Sequence, residues 1–274
     1  MTVREALDSA VIAIGAAGSD SPRLDAELLL AHALGVDRTA LFTDPAREVA
    51  GPAVRAFQGA VRRRSVGREP VAYIVGSKGF RHIDLRVDAR VLVPRPETEL
   101  LVEVGLTLGQ GACVVDVGTG SGAIALSLKH ERPDLVVVGT DVSAAALELA
   151  RANAAALGLD VRFTEGDLLA GAERCDAVLS NPPYVREGER ASLAPEIAHH
   201  EPPGALFAGA DGLDVIRRLV PAAAAALTSG GLLAIEVGAG QASAVAALMG
   251  QAGFEEASAR RDLAGIERVL VGKL

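Results

Sequence analysis

The stretch "VVDVGTGSGAIALSL", residues Val114 to Leu128, decides the fold class of this 274-residue chain. Its first half is typical of a buried strand, and its second half predicts a helix. Between them stand Gly118, Gly120 and Gly122, which allow the backbone to turn sharply and to approach a ligand closely. Free N–H groups at the start of a helix face such a ligand. The stretch therefore predicts a strand–turn–helix unit with a binding site at the turn.

The alternation of strand and helix continues from Ala112 to the end of the chain. Strand-like runs such as "LVVVGTD", "CDAVLSNPP" and "GLLAIEVG" alternate with helix-like runs such as "SAAALELARANAAALG". Nearly continuous Val, Ile and Leu in the strands is typical of a mostly parallel sheet that helices cover on both faces. The last two strands are joined by a turn, which predicts an antiparallel pair. The sequence therefore predicts an α/β domain.

The first part of the chain, residues 1–67, shows helical periodicity only. Thr2 followed by Glu5 fits a capping box, and Ser21 is in position to cap the second helix. We expect the basic run Arg62–Arg64 to be a solvated helix end that complements the helix dipole. This part is therefore predicted to be a small all-helical domain.

Residues 68–94 separate the two parts and show short alternating stretches with Gly76 and Gly79 between them. Such a pattern favours a small β-hairpin or an extended linker, which Pro94 ends. The predicted organisation is a helical domain over 1–67, a hairpin linker over 68–94 and an α/β domain over 95–274.

Composition excludes several classes of protein. The net charge of -8 argues mildly against direct binding of nucleic acid, which usually requires a basic surface. The two cysteines, Cys113 and Cys175, lie far apart without a CxxC spacing, so we expect reduced thiols, no disulfide and no metal site. Charges interrupt the N-terminal apolar residues, and no apolar run approaches about 20 residues, so we expect a cytoplasmic protein without a signal peptide or membrane span.

Two acidic residues lie close to the predicted binding turn, one at the end of the next strand and one inside the first strand. Asp141 ends the next strand, about 20 residues after the glycines, where a dinucleotide-type fold places a carboxylate on a ribose hydroxyl. Alternatively, Asp141 caps the following helix. Asp116 lies inside the first strand and either accepts hydrogen bonds from the turn's own amides or reaches the ligand.

The identity of the cofactor follows from the turn and from a further acid. The run "GTGSG" differs from the G-x-G-x-x-G pattern that binds a pyrophosphate. Asp167, at the exit of the third strand, is placed to accept a hydrogen bond from the exocyclic amine of an adenine. Acids at these two strand ends suit a nucleoside without phosphates, which favours S-adenosylmethionine with its positive sulfonium.

The stretch "SNPPYV", Ser180 to Val185, follows the fourth strand and predicts the chemistry. Proline donates no backbone hydrogen bond, so the carbonyls here and the side-chain carbonyl of Asn181 form a group of acceptors suited to an NH2 group. Tyr184 offers a flat face to a planar amine or amide, a role in which Tyr184→Phe would be nearly silent. The pattern indicates direct methyl transfer to that nitrogen, with Asn181, Pro182 and Tyr184 as catalytic residues; alternatively, the stretch is only a rigid turn.

Five segments together resemble the HemK/PrmC family of protein-glutamine methyltransferases, which act on peptide-chain release factors. They are, in family order, "EPVAYIVGSKGF", "VLVPRPETELLVE", "VVDVGTGSGAIALSL", "SNPPYV" and "EPPGALFAGADGLDVIRRLV". The motif NPPY alone is shared with adenine and cytosine amino-methyltransferases, whereas "VPRPETE" behind a helical domain is more specific. The resemblance implies a class I (Rossmann-like) methyltransferase domain with a seven-stranded, mostly parallel sheet. It also implies that the substrate is the glutamine of a Gly-Gly-Gln motif.

The resemblance also implies roles for individual residues. The cofactor would be lined by the turn and by residues at the strand ends: Gly118, Thr119, Gly120, Ser121, Gly122, Asp141, Asp167, Leu168 and Asn181. The substrate glutamine would be held by Asn181, Pro182, Pro183 and Tyr184, with Arg95 and Glu97 in a segment that closes over the site. Leu168 departs from some relatives, which carry an aromatic residue against the adenine.

Two other functions are compatible with the same residues. An enzyme that methylates adenine in nucleic acid would use the NPPY acceptors in the same way, and a non-catalytic protein would bind the cofactor while its helical domain binds a partner. The prediction that the motifs favour is a monomeric enzyme with release factors as protein substrates.

Overall fold

A computed structural model describes residues 1–171 and 173–274. The helices are α1 (Val3–Ala16), α2 (Pro22–Leu34), α3 (Ala40–Thr43), α4 (Pro52–Ser65), α5 (Val71–Val75), α6 (Glu99–Leu106), α7 (Ala123–Glu131), α8 (Ala144–Leu157), α9 (Pro195–His200), α10 (Asp214–Ala226) and α11 (Ala242–Gln251). The strands are β1 (Ser77–Phe80), β2 (Ile83–Arg86), β3 (Cys113–Val117), β4 (Val136–Asp141), β5 (Arg162–Glu165), β6 (Cys175–Ser180), β7 (Leu227–Glu236), β8 (Glu255–Arg261) and β9 (Glu267–Lys273). Short 3-10 helices cover Pro96–Thr98, Glu187–Ser192 and Pro203–Ala205.

The described chain packs as two compact units. One unit contains residues 1–77 together with 193–200, and the other contains 78–192 together with 201–274. The predicted helical domain therefore gains residues 68–77 and a distant segment that contains α9. No helix in the described part of the chain has both the length and the apolar character that a membrane crossing requires.

The helical unit confirms the capping prediction at its first helix. The Thr2 hydroxyl accepts a hydrogen bond from the Glu5 amide at 3.2 Å, and the Glu5 carboxylate accepts one from the Thr2 amide at 2.8 Å. Ser21 stands at the N-cap of α2, but its hydroxyl donates to the Asp25 carboxylate at 3.2 Å instead of capping the backbone. The Ser21 hydroxyl therefore bonds to the Asp25 side chain and does not cap the helix backbone.

At the basic end of α4, Arg62 and Arg63 are exposed as predicted, but Arg64 departs from the prediction of a solvated helix end. Arg64 is only 8% exposed. Its guanidinium donates to Asp25 at 2.7 Å, to Glu196 at 2.5 Å and to the Ser19 hydroxyl at 3.1 Å. Arg68 also donates to both carboxylate oxygens of Glu196, at 2.7 and 2.8 Å. The buried charge of Arg64 requires partners of opposite charge. Glu196 is one of them, so these bonds hold the segment 193–200 against the helices.

The linker region contains the predicted β-hairpin, but its first part is helical. Residues 71–75 form α5, in which Tyr73 and Ile74 are buried. The strands β1 and β2 form a two-stranded sheet, so a hairpin is present. Val91 and Val93 are buried but lie outside both strands, because the chain turns at Asp88, whose carboxylate accepts from the Arg90 amide at 3.0 Å.

The second unit contains the predicted seven-stranded sheet, with strand order β5-β4-β3-β6-β7-β9-β8. The first five strands in this order are parallel, while β9 is antiparallel to both β7 and β8. The chain proceeds from β3 to β4 on one side and later to β6 on the other side. Open α/β sheets bind ligands at such a switch point, beyond the carboxyl ends of the strands.

Candidate active site

A cavity of about 360 Å³ lies at this switch point, within the second unit. Its wall contains most of the predicted site residues: Gly118, Thr119, Gly120, Ser121, Asp141, Asp167, Leu168, Asn181, Pro182 and Pro183. Gly122, Tyr184 and Arg95 are predicted site residues that do not line it. The remaining wall includes Thr98, Ile124, Val142 and Arg218.

The glycine turn has a backbone shape that side chains disfavour. Gly118, Gly120 and Gly122 have φ angles of 72°, 55° and 84°, all in the left-handed region. A Cβ atom on Gly122 would lie 2.8 Å from a methyl carbon of Leu126, so this glycine is required for close packing although it does not line the cavity. The amide of Gly120 donates to the Asp141 carboxylate at 3.0 Å, which joins the turn to the end of β4.

Asp141 lies on the cavity wall and does not cap the following helix. The N-cap of α8 is Ser143, whose hydroxyl accepts from the Ala146 amide at 3.2 Å. The two carboxylate oxygens of Asp141 accept from the amides of Gly120 and Ser143, at 3.0 and 2.9 Å. Each carboxylate oxygen has two lone pairs, so both oxygens keep one lone pair for a ligand.

Asp116 belongs to the support of the turn. It is completely buried and does not line the cavity. One carboxylate oxygen accepts from the Thr119 hydroxyl at 2.6 Å and from the Ala125 amide at 3.2 Å. The other oxygen has no hydrogen-bond partner among the described residues, and burial raises the pKa of Asp116 to about 7. These contacts agree with a supporting role, but the donors are not the turn's amides: those of Gly118 and Thr119 donate to the Thr140 carbonyl.

Asp167 and Leu168, which follow β5, also line the cavity. The Asp167 carboxylate forms an ion pair with the Arg218 guanidinium, a partner that sequence patterns do not indicate. Leu168 has a left-handed backbone with φ of 55°, and its carbonyl accepts from the Thr140 hydroxyl at 2.8 Å. The Leu168 side chain is half-buried against the core of the sheet.

The stretch after β6 is held by a chain of side-chain hydrogen bonds. The amide nitrogen of Asn181 donates to the Thr98 hydroxyl at 3.1 Å, and this hydroxyl donates to Glu236 at 2.7 Å. The other carboxylate oxygen of Glu236 accepts from the Tyr184 hydroxyl at 3.2 Å. Burial is the main cause that raises the pKa of Tyr184, and the negative charge of Glu236 raises it further. This network fixes the orientation of Asn181 beside the cavity.

Sequence reasoning missed Thr98 and Glu236. Thr98 lies within the quoted "VPRPETE" segment, and Glu236 ends the apolar run "GLLAIE". A single acid at the end of an otherwise apolar strand is costly to bury unless it has partners. That solitary acid is the signal that could have identified Glu236.

Arg95 lies outside the cavity wall and pairs with a buried acid. Its guanidinium donates to one carboxylate oxygen of Glu201 at 2.6 Å. The second oxygen of Glu201 is buried without a partner among the described residues, and burial raises the pKa of this group. The pair connects the segment before the first 3-10 helix to the residue that follows α9.

The fold and the site together define a class I methyltransferase. The family model for the methyltransferase small domain matches residues 96–201. A methyltransferase from Pyrococcus furiosus shares the fold with a TM-score of 0.53, at 18% identity over 70% of this chain and 88% of that one. The 16S rRNA methyltransferase RsmC from T. thermophilus, solved in complex with AdoMet and guanosine, has a TM-score of 0.52 at 21% identity, over 72% of this chain and 49% of that one.

The chain belongs to the release factor glutamine methyltransferases. The family model for the PrmC N-terminal domain matches residues 5–76. The release factor glutamine methyltransferase of Deinococcus radiodurans is 44% identical over 98% of this chain and 97% of its own. The enzyme of the same name from Koribacter versatilis is 42% identical over 100% of this chain and 99% of its own. The resemblance noted from the sequence is thereby confirmed.

Proposed function

We propose that this protein transfers a methyl group from S-adenosylmethionine to the side-chain amide nitrogen of the glutamine in the Gly-Gly-Gln motif of a release factor. The observation that carries the proposal is the orientation of Asn181. Its amide nitrogen donates to Thr98, so its carbonyl oxygen is left to accept from a group in the cavity. Full-length similarity to release factor glutamine methyltransferases supports the choice of a glutamine amide.

The residues around the turn suit S-adenosylmethionine. The Asp141 carboxylate has an unused lone pair on each oxygen, which matches the two hydroxyl groups of an unphosphorylated ribose. The backbone of Gly118 to Gly122 would follow the nucleoside and methionine parts, while Leu168 and Asp167 would contact the adenine. When bound, S-adenosylmethionine supplies an electrophilic methyl group on a positive sulfonium.

The NPPY residues would prepare a weak nucleophile for this methyl group. An amide nitrogen reacts poorly because its lone pair is delocalised into the carbonyl. The carbonyl oxygens of Asn181 and Pro182 would each accept one N–H of the glutamine amide, which points the nitrogen toward the methyl carbon. These fixed acceptors would also stabilise the positive charge that grows on nitrogen. In such a transfer the nitrogen would gain the methyl group as its bond to sulfur breaks, and the acceptors at Asn181 and Pro182 would hold the amide until its extra proton is lost to water.

Mass spectrometry of a co-expressed release factor tests this function. We expect a single added methyl group on the Gly-Gly-Gln glutamine, and none on a release factor in which that glutamine is replaced by asparagine. Duplex DNA incubated with labelled S-adenosylmethionine tests the adenine alternative. Labelled DNA with an unmodified release factor would contradict the proposal, and S-adenosylmethionine binding with neither product would favour the non-catalytic alternative.

We further propose that the helical domain, predicted at 1–67 and packed with residues up to 77, selects the release factor without taking part in the chemistry. All cavity-lining residues follow it in the chain. A chain that begins at Lys78 and carries Glu196→Gln, which removes the carboxylate that would lose Arg64 and Arg68 as partners, is expected to bind S-adenosylmethionine with normal affinity. It should lose about tenfold or more in kcat/KM on a whole release factor, equivalent to about 1.4 kcal/mol of lost substrate binding. Circular dichroism and calorimetry check the fold and the cofactor site, and full activity of the shortened chain would contradict this role.

A further inference from the structure

We propose that Glu236 is a positioning residue for methyl transfer, because its carboxylate takes the hydroxyl proton of Thr98 and thereby turns the carbonyl oxygen of Asn181 toward the substrate. The inference rests on the proposed function of Asn181 as an acceptor for the substrate amide. Glu236 itself lies neither on the cavity wall nor next to the reacting atoms.

Glu236 is positioned to act only through other side chains. It is the last residue of β7, it is 1% exposed, and it is absent from the cavity wall. One carboxylate oxygen lies 2.7 Å from the Thr98 hydroxyl and the other lies 3.2 Å from the Tyr184 hydroxyl. An ionised carboxylate has no proton to donate, so both hydroxyl groups must donate to it.

The commitment of one proton determines the direction of the next hydrogen bond. Thr98 has a single hydroxyl proton, and once this proton points at Glu236 the oxygen can only accept from Asn181. Asn181 must therefore present its NH2 group to Thr98, which matches the 3.1 Å contact from its amide nitrogen. The two ends of an asparagine amide are nearly identical in shape, so steric fit alone would not select this orientation.

Protonation of Glu236 on the oxygen that faces Thr98 would reverse the whole chain of hydrogen bonds. A neutral carboxyl group donates to Thr98, whose own proton then goes to the carbonyl oxygen of Asn181. The NH2 group of Asn181 would then face the substrate NH2, and two donors cannot hydrogen-bond to each other. Only the ionised form of Glu236 obliges Thr98 to donate to it, so this is the form that supports the reaction fully.

The surroundings of Glu236 place this change near neutral pH. Burial raises the pKa of Glu236 to about 7, and the nearby Glu97 acts in the same direction. The hydrogen bonds from Thr98 and Tyr184 and the charge of Arg268 act in the opposite direction. Because the active form is ionised, kcat is expected to fall as the pH decreases through this range.

The variant Glu236→Gln tests the inference because its carboxamide has the same shape but cannot accept from both hydroxyl groups. We expect kcat on a release factor to fall about tenfold with unchanged affinity for S-adenosylmethionine, the pattern of a lost transition-state interaction. The low-pH decline of kcat near pH 7 should also disappear in this variant. Thr98→Val removes the relay hydroxyl and should lose a similar factor, while Thr98→Ser restores the hydroxyl and should recover most of the rate.

A second background separates positioning from a structural role. In an Asn181→Ala enzyme there is no amide to orient, so adding Glu236→Gln should change kcat by less than about twofold, since coupled residues are not additive. Single-turnover methylation measured by mass spectrometry detects the low rates.

Each outcome decides between named alternatives. A tenfold loss in both backgrounds, or a wild-type rate and pH profile for Glu236→Gln, would overturn the positioning role. Should Glu236→Gln not fold, the Thr98→Val and Thr98→Ser pair decides: equal rates for the two would reject the relay. Failure of the unaltered enzyme to methylate any release factor would instead reject the proposed function.

Discussion

An Asn181→Ala enzyme is expected to methylate a release factor with a kcat about 100-fold or more below that of the unaltered enzyme, the size of effect that follows loss of one preorganised group at a charged transition state. The alanine removes the carbonyl oxygen that would orient the glutamine amide. Affinity for S-adenosylmethionine should change little, because Asp141 and the glycine turn remain in place. The loss should therefore fall on kcat, as expected for an interaction made mainly in the transition state.

Steady-state kinetics with a purified release factor, together with calorimetry for the cofactor, measure the two effects separately. Asn181→Asp is the matched comparison, since it keeps an acceptor and loses the NH2 group that donates to Thr98. Its new carboxylate would face a hydroxyl whose proton is already committed to Glu236. We expect stronger attraction for the positive sulfonium but poor turnover. A near-normal kcat for Asn181→Ala would mean that "SNPPYV" is only a turn.

An Asp141→Ala enzyme is expected to bind S-adenosylmethionine more weakly by about 2–3 kcal/mol, or roughly 30- to 150-fold in Kd, because hydrogen bonds to a charged acceptor are the stronger kind. Two losses combine in this variant. The two hydroxyl groups of the ribose would lose their acceptor, and the amides of Gly120 and Ser143 would lose the carboxylate that holds the turn.

Isothermal calorimetry measures this change directly, and a thermal melt without ligand confirms that the variant is folded. Asp141→Asn keeps one acceptor oxygen and should lose less affinity than alanine. Asp167→Ala is a second comparison: its carboxylate already has Arg218 as a partner and is more than half exposed, so the expected loss is smaller. If the Kd of a folded Asp141→Ala enzyme equals that of the parent, another residue binds the ribose.

The parts of the fold that were predictable are those determined by local sequence. The turn at Gly118 to Gly122 and the strand before it depend on neighbouring residues, and the alternation of strands and helices predicts a parallel sheet. The hairpin was predicted correctly, but the helix at Val71–Val75 was not, because its stability comes from the burial of Tyr73 and Ile74 and not from a local pattern. Burial of Arg64 was missed because its partner Glu196 is 132 residues away in the chain.

The same limit applies to the site. Asn181 and Asp141 were found from local sequence motifs. Thr98 and Glu236, in contrast, are 138 residues apart and come into contact only in the folded chain. Their contact also changes one expectation for Tyr184. A role in stacking alone makes Tyr184→Phe nearly silent, but the Tyr184 hydroxyl donates to buried Glu236. Phenylalanine would leave that carboxylate oxygen without this donor, so we now expect a measurable loss of kcat.

The inserted segment 193–200 has a consequence for how the protein is made. Chains emerge from the ribosome N-terminus first, and domains usually fold in that order. Here the helices of the first unit obtain Glu196, the acid that pairs with Arg64 and Arg68, only after strands β3 to β6 have been synthesised. The unit that comes first in the sequence is therefore completed late, and a nascent chain that stops before residue 193 would hold Arg64 with only part of its final set of partners.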